Sequence, residues 1–341
     1  MKERVFSGIQ PTGKLHIGNY LGAMSTWVRE QDNYDGIYCV VDLHSLTVPE
    51  VVNPQELNRK IWNMVAIFLA AGIDPKKSSI FIQSMVPEHS QLAWILNCVT
   101  PTGWLNRMTQ FKSKSENKKV VGTGLYTYPT LMAADILLYD TAKVPVGEDQ
   151  KQHIEITRDI AVRFNEMFGN TFVLPEPIIN KAGARIMGLD DPMQKMSKSV
   201  GEVKMYHSIG VVDEPDQIVR AIKRAQTDMG PVVKYDEAEA GVKNLLNIYQ
   251  ATTRKSAQET KEIFEGKGYG FLKKEVTDAV LECLRPVRER YAELLNNKDY
   301  LREVVSEGAA RAHEIAHKKL LRVHEALGIN FPEIANHSKA K

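Results

Sequence analysis

Apolar residues follow two rhythms along this chain. In the first half, short unbroken apolar runs alternate with stretches where apolar positions recur every three or four residues, the marks of buried strands and of helices respectively. Residues 5–9, 37–41, 79–83 and 143–146 read as strands, and residues 16–29, 54–71, 88–98 and 149–168 as helices, with a further helix beginning near Pro129. The second of these helices carries its own punctuation: Asn53 as N-cap, Pro54 at the first helical position, Glu56 at the third, and Gly72 just past its end. From about residue 213 the strand rhythm fades, and residues 213–225, 242–252, 256–264, 272–296 and 298–327 all read as helical.

Strands alternating with helices predict a parallel sheet covered on both faces. The expected fold class is α/β, a Rossmann-like doubly wound parallel sheet with an all-helical C-terminal domain. Ligands of such sheets bind beyond the carboxyl ends of strands, which directs attention to the loops after Ile9, Val41 and Val146. The expected divisions are a nucleotide- and substrate-binding unit over residues 1–188, a mobile loop over 189–202, a helical unit over 203–300, and a last helix with a polar tail over 301–341 that could pack back on the first unit. Residues 178–201 are expected to serve as connector.

Composition narrows the field. Hydrophobic residues make up 43% and charged residues 25% of the 341, the balance of a soluble globular protein. A net charge of +2 excludes a strongly basic nucleic-acid coat, so any nucleic-acid contact must come from local patches. The three cysteines, Cys39, Cys98 and Cys283, are far apart, which argues against a disulfide framework and against a zinc or iron–sulfur site built from cysteine. Met1-Lys2-Glu3-Arg4 lacks the apolar run of a signal peptide and no stretch is long enough to span a bilayer, so the expected location is the cytoplasm, with no membrane partner.

Three passages carry candidate chemistry. Phe6-Ser7-Gly8-Ile9-Gln10-Pro11-Thr12-Gly13-Lys14-Leu15-His16-Ile17-Gly18-Asn19 runs from a strand into a helix. Its glycines admit a ligand close to the backbone, and His16 and Asn19 share one face at a helix start whose N–H groups suit a phosphate. The spacing matches neither the Rossmann fingerprint nor a P-loop, and a glycine-rich turn with a solvated histidine is the plainer alternative. Lys195-Met196-Ser197-Lys198-Ser199, between Asp190-Asp191-Pro192 and Gly201, would hold a polyphosphate and engage charge that develops as pyrophosphate leaves; a flexible basic turn is its alternative. Asp135 lies in a mostly apolar helix, where a carboxylate is costly unless paired. A lysine partner or a helix cap is the ordinary way to satisfy it, and a ligand's donor group seated among Phe6, Met132, Ile136, Val144 and Val146 is the alternative. Gly147 allows close backbone approach, and Asp149 is placed to bind ribose hydroxyls.

A strand–H-x-G-N–helix passage followed by K-M-S-K-S near residue 195 resembles the two signatures of the class I aminoacyl-tRNA synthetases. The common first signature ends in histidine; Asn19 stands there, as the tryptophan branch tolerates. Residues 83–84, 107–112, 126–139, 144–153, 184–187, 244–249 and 266–270 extend the resemblance to bacterial-type tryptophanyl-tRNA synthetases over essentially the whole chain.

The resemblance implies roles residue by residue. Gln10, Pro11, Thr12, Gly18 and Asn19 would contact ATP, with His16 near the phosphates. Gly147, Glu148 and Asp149 would lie on the ribose side, Ile186 and Met196 would flank the adenine, and Lys195, Ser197, Lys198 and Ser199 would grip pyrophosphate, with Lys114 a further phosphate-binding lysine. Of these, His16, Asn19, Lys114, Lys195 and Lys198 would carry the catalytic charge stabilisation. Asp135 would accept the indole N–H within a tryptophan site of Phe6, Gly8, Gln10, His44, Tyr128, Met132, Ile136, Val144, Val146 and Gln150.

The implied activity is activation of L-tryptophan by ATP to tryptophanyl-adenylate and pyrophosphate, followed by transfer to the 3′ end of tRNA(Trp). Mg²⁺ is expected with ATP, held mostly by phosphate and water. No protein-bound zinc or iron–sulfur cluster is expected, since Cys283 stands alone in the C-terminal half. The implied partners are ATP, L-tryptophan, tRNA(Trp) and a second copy in a homodimer. Basic clusters at Lys223-Arg224, Lys273-Lys274, 285–290 and 311–322 would face the tRNA anticodon region, or are solvated helix faces. A tyrosine-specific synthetase, a small-molecule nucleotidyltransferase and a non-catalytic RNA-binding relative are the rival readings.

Overall fold

A computed structural model describes residues 2–116, 120–147, 150–179 and 186–329, without the side chains of Val51, Ser113, Lys114, Ile179, Lys198, Ser199 and Glu202. The first half runs β1 (Arg4–Ile9), α1 (Ile17–Asn19), a π-helical turn (Tyr20–Met24) leading into α2 (Ser25–Glu30), β2 (Asp35–Val40), α3 (Pro54–Ala70), β3 (Ser78–Ile82) and α4 (Glu88–Val99). It continues through α5 (Thr102–Leu105), α6 (Thr109–Ser115), α7 (Thr123–Leu137), β4 (Lys143–Val146), α8 (Lys151–Phe168) and β5 (Glu176–Ile179). The second half is helical: α9 (Lys198–Val203), α10 (Pro215–Arg224), α11 (Ala240–Thr253), α12 (Ala257–Phe264), α13 (Tyr269–Leu295) and α14 (Lys298–Ala326). The Asn53 side chain caps α3 by accepting from the Glu56 N–H at 3.0 Å, as its position demanded.

All five strands are parallel, in the order β3-β2-β1-β4-β5. Chain order reverses between β1 and β4, so the crevice beyond Ile9 and Val146 is the topological switch point at which such sheets bind ligands. Side chains alternate across the sheet with period two. Ile37, Cys39, Val41 and Phe81 join the core shared with α4, α7 and α8; Tyr38, Val40, Ile80 and Ile82 join the core shared with α3 and the C-terminal helices.

The last helix, α14, returns to the sheet and lies along the open edge of β3. Arg311 donates to the carbonyls of Pro75 at 2.9 Å and Ser78 at 3.2 Å, and a Cβ at Gly308 would overlap the carbonyl of Ile80. Only a residue without a side chain lets the helix backbone come this near the strand. The contact closes an edge that would otherwise expose unpaired backbone groups.

Three sequence expectations need correction. Ile178 and Ile179 belong to β5 rather than to a connector; the strand is four residues long and contains Pro177, which an edge strand tolerates, and so left no recognisable signal. The helix expected to begin near Pro129 begins at Thr123 and carries the proline inside it, where packing on both sides overrides the local preference. Gln83 is the first residue of a 3-10 turn after β3, not the last of the strand. Among the described residues no helix is long and apolar enough to cross a membrane.

Candidate active site

A cavity of about 390 Å³ opens at the switch point, between the carboxyl ends of β1 and β4 and the inner face of α7. Phe6, Gly8, Gln10, His44, Tyr128, Met132, Asp135, Ile136, Val144, Val146 and Gln150 all line it, so residues far apart in the sequence meet on one slot. Asn19 and Gly147 reach the same cavity from the mouth side. Gly8 permits this closeness, because a Cβ there would stand 2.7 Å from a methyl of Val41.

The floor of the slot is a polar knot. Asp135 is 2% exposed, and three side chains converge on its carboxylate. Oδ1 receives Gln83 Nε2 at 2.6 Å and His89 Nδ1 at 2.6 Å, and Oδ2 receives His44 Nε2 at 2.8 Å. The Gln83 amide is oriented by its own oxygen, which accepts from the Leu43 N–H at 3.1 Å. With its Nδ1–H donating to Asp135, His89 offers Nε2 as acceptor to the Tyr139 hydroxyl, 2.8 Å away. Burial pushes the Asp135 carboxyl up, but the hydrogen bonds from His44 and His89 outweigh it, and the net direction is down. Burial also pushes the Tyr139 and Tyr128 phenols up, keeping both protonated, and does the same for the Cys39 thiol behind Asp135.

A carboxylate has about four acceptor positions. Three are taken, two on Oδ1 and one on Oδ2. Among the described residues one position on Oδ2 remains, in a residue that lines the slot beside the apolar Phe6, Met132, Ile136, Val144 and Val146. The arrangement can therefore receive one neutral donor at the end of a flat apolar group, and it penalises a ligand that lacks such a donor. Along the side of the slot the Tyr128 hydroxyl meets His153 Nε2 at 2.5 Å and Gln110 Oε1 at 3.4 Å, and Gln10 donates to the carbonyl of His44 at 2.7 Å.

The phosphate-binding candidates sit at the start of the first helix. His16 is buried, and its main-chain N–H is capped by Asn19 Oδ1 at 3.2 Å. Gly18 keeps the site tight: a Cβ there would lie 3.0 Å from His16 Nδ1 and 3.4 Å from the Ile186 Cβ. The K-M-S-K-S segment is thus anchored on this helix start from both ends. Ile186 packs over Gly18, and the Met196 N–H donates back to the Ile186 carbonyl at 3.1 Å, closing a hairpin. Asn244 of α11 holds that hairpin through both the N–H and the carbonyl of Met187, each at 2.9 Å. On the far side, the Ile17 N–H donates to Ile209 at 2.8 Å, the Val211 N–H donates to Leu15 at 2.9 Å, and Lys14 pairs with Asp213 at 2.5 Å. Between these anchors Lys195 is exposed, and Ser197 caps α9 by accepting from the Val200 N–H at 3.2 Å.

Met196 and Ile186 are buried beside one another. Pro11 is buried and Thr12 exposed, and neither lines the slot. Glu148 and Asp149 lie outside the described residues, as do the side chains of Lys114, Lys198 and Ser199.

Sequence reasoning missed Gln83, His89 and Tyr139 as holders of Asp135, and Gln110, Thr47 and His153 around the slot. Gln83 was within reach, being the polar residue that directly follows an apolar strand in an α/β sheet. His89 gave no local signal, since only tertiary packing sets it beside the carboxylate, and Tyr139, four residues after Asp135, acts on the carboxylate through His89.

A parallel sheet with its slot at the switch point, and a lysine-bearing hairpin packed on the first helix, define a class I synthetase architecture. The family model "tRNA synthetases class I (W and Y)" matches residues 2–285, and the chain belongs to that family. Within the family it falls among the bacterial-type tryptophanyl-tRNA synthetases. It is 53% identical over 330 residues to a tryptophan–tRNA ligase of Wolinella succinogenes, covering 96% of this chain and 99% of that protein. A Campylobacter jejuni tryptophanyl-tRNA synthetase solved in complex with ADP and tryptophan superposes with a TM-score of 0.83 at 35% identity, covering 95% of this chain and 99% of the other. The Mycoplasma pneumoniae tryptophanyl-tRNA synthetase gives 0.87 at 34% identity, covering 97% and 99%.

Proposed function

We propose that the protein activates L-tryptophan with ATP, giving tryptophanyl-adenylate and pyrophosphate, and then transfers the tryptophanyl group to the 3′ end of tRNA(Trp). The single observation that carries the amino-acid choice is the remaining acceptor position on Asp135 Oδ2, in a slot that also presents Phe6, Met132, Ile136, Val144 and Val146. An indole fills such a slot and ends in one N–H. Phenylalanine has no donor and leaves the knot unpaired, whereas a phenol carries one on a narrower ring and must be told apart by the fit of the ring in the slot.

In the first step the tryptophan carboxylate attacks the α-phosphorus in line, with no covalent enzyme intermediate, so the protein's task is positioning and charge stabilisation. Tyr128, Gln10 and Gln150 hold the amino-acid end of the substrate. Gly18 and Asn19 admit ATP beside His16, Ile186 and Met196 flank the adenine, and Gly147 opens the ribose side. Lys195, on the hairpin rooted at Ile186, and Lys198, at the start of α9, close on the departing pyrophosphate, where their charge matters most in the transition state. Mg²⁺ enters with ATP. The ion would be brought by the nucleotide rather than by a protein carboxylate, and would supply charge neutralisation at the phosphates as pyrophosphate leaves. The helices after residue 203 offer basic faces to tRNA(Trp), and a cytoplasmic homodimer is the assembly that the family resemblance supports.

Amino-acid-dependent ATP–pyrophosphate exchange tests the assignment. Tryptophan is expected to support exchange at far lower concentration than tyrosine; the reverse order would overturn it.

A further inference from the structure

Away from the slot, Glu88 opens α4 and points at two histidines of α14. Glu88 Oε1 lies 2.9 Å from His313 Nδ1 and 3.4 Å from His317 Nδ1. The two histidines are four residues apart on one helix and so share a face, and one ligand atom from each of the three side chains lies within 4.8 Å of the others. The carboxylate is 3% exposed, and its second oxygen, Oε2, is buried with no hydrogen-bond partner among the described residues. An acidic residue at a helix start is ordinarily explained by the dipole, but that explanation leaves the group in water. Here an anion is buried with half of its acceptor capacity unused, against two half-exposed imidazoles.

We propose that Glu88, His313 and His317 form a divalent-cation site of the zinc type that staples α14 to the start of α4. Two imidazole nitrogens and one carboxylate oxygen are a borderline-soft donor set, suited to Zn²⁺ over Mg²⁺ or Ca²⁺. A tetrahedral ion about 2.0–2.1 Å from each ligand spaces them about 3.3 Å apart, and the two measured separations bracket that edge. The exposed sides of the imidazoles leave a fourth position for water. The ion neutralises the buried carboxylate and ties the helix that covers the β3 edge to the helix whose next residue, His89, holds Asp135. Cysteine spacing could not reveal this site: its ligands are histidine and glutamate, gathered from distant parts of the chain.

The test uses full-length protein without an affinity tag, stripped of metal and titrated with Zn²⁺ against a chromophoric chelator, and with Co²⁺ followed by visible absorption. One Zn²⁺ per chain is expected, with the intense visible band of four-coordinate Co²⁺. His313→Gln and His317→Gln, at half-exposed positions, should each weaken binding by at least about tenfold, as should Glu88→Gln if it folds. No stoichiometric binding, or binding unchanged in both histidine variants, would overturn the site whether or not Glu88→Gln folds.

Discussion

His44 Nε2 stands 2.8 Å from Asp135 Oδ2 and closes one of the two acceptor positions on that oxygen, leaving the other open among the described residues. Selectivity then comes from what the carboxylate still lacks. The three donors already in place are the scaffold that fixes the direction of the fourth.

Asp135→Asn should separate the two substrates. A hydrogen bond to a charged group contributes about 1.5–3 kcal/mol, so the tryptophan KM in pyrophosphate exchange is expected to rise about 10- to 100-fold while the ATP KM changes by less than about threefold. Equal losses for both substrates would assign Asp135 a purely structural role. The variant should also melt at lower temperature, because the amide cannot accept from Gln83, His89 and His44 together.

Gly18→Ala should do the opposite. The added methyl would press on His16 Nδ1 at 3.0 Å and on the Ile186 Cβ at 3.4 Å, displacing the helix start and the root of the K-M-S-K-S hairpin together. The expected outcome is a higher KM for ATP and a lower kcat, on the order of tenfold, with tryptophan binding preserved in equilibrium dialysis. A loss confined to tryptophan would contradict the placement of the phosphate site.

Acid should expose the Asp135 knot late. The carboxyl is held below its ordinary value in the folded protein, so the unfolded chain binds the proton more readily. Its stabilising contribution is complete above the unfolded carboxylate pKa, about 4, and is lost as pH falls through the lower folded value. The Tm difference between the natural protein and Asp135→Asn should be flat from neutral pH to about pH 5 and shrink only below that. A difference that fades between pH 7 and 5 would mean the group titrates high.

How much of this was legible in the sequence depends on the range of each interaction. Strand and helix rhythms, the Asn53 cap and the helical second half are local and could be read directly. All eleven residues named for the slot line one cavity, because the rule about strand ends and the family resemblance pointed to the same loops. The partners of Asp135 were different. A lysine or a helix cap was the natural guess for a buried carboxylate, yet the structure supplies His44 from the turn after β2, Gln83 from the turn after β3 and His89 from α4. Such partners are separated from Asp135 by 46 to 91 positions, and no local pattern records them. β5 escaped for the converse reason: Glu-Pro-Ile-Ile is too short and too proline-rich to show a period.

The most direct test replaces one atom of the substrate. In β-(3-benzothienyl)alanine a sulfur stands where tryptophan has its indole N–H, with the ring shape kept. The kcat/KM for pyrophosphate exchange should fall at least about tenfold with this analogue, as expected for leaving a charged acceptor unpaired. Equal kcat/KM for the two amino acids would show that the open position on Asp135 Oδ2 does not read the ring nitrogen.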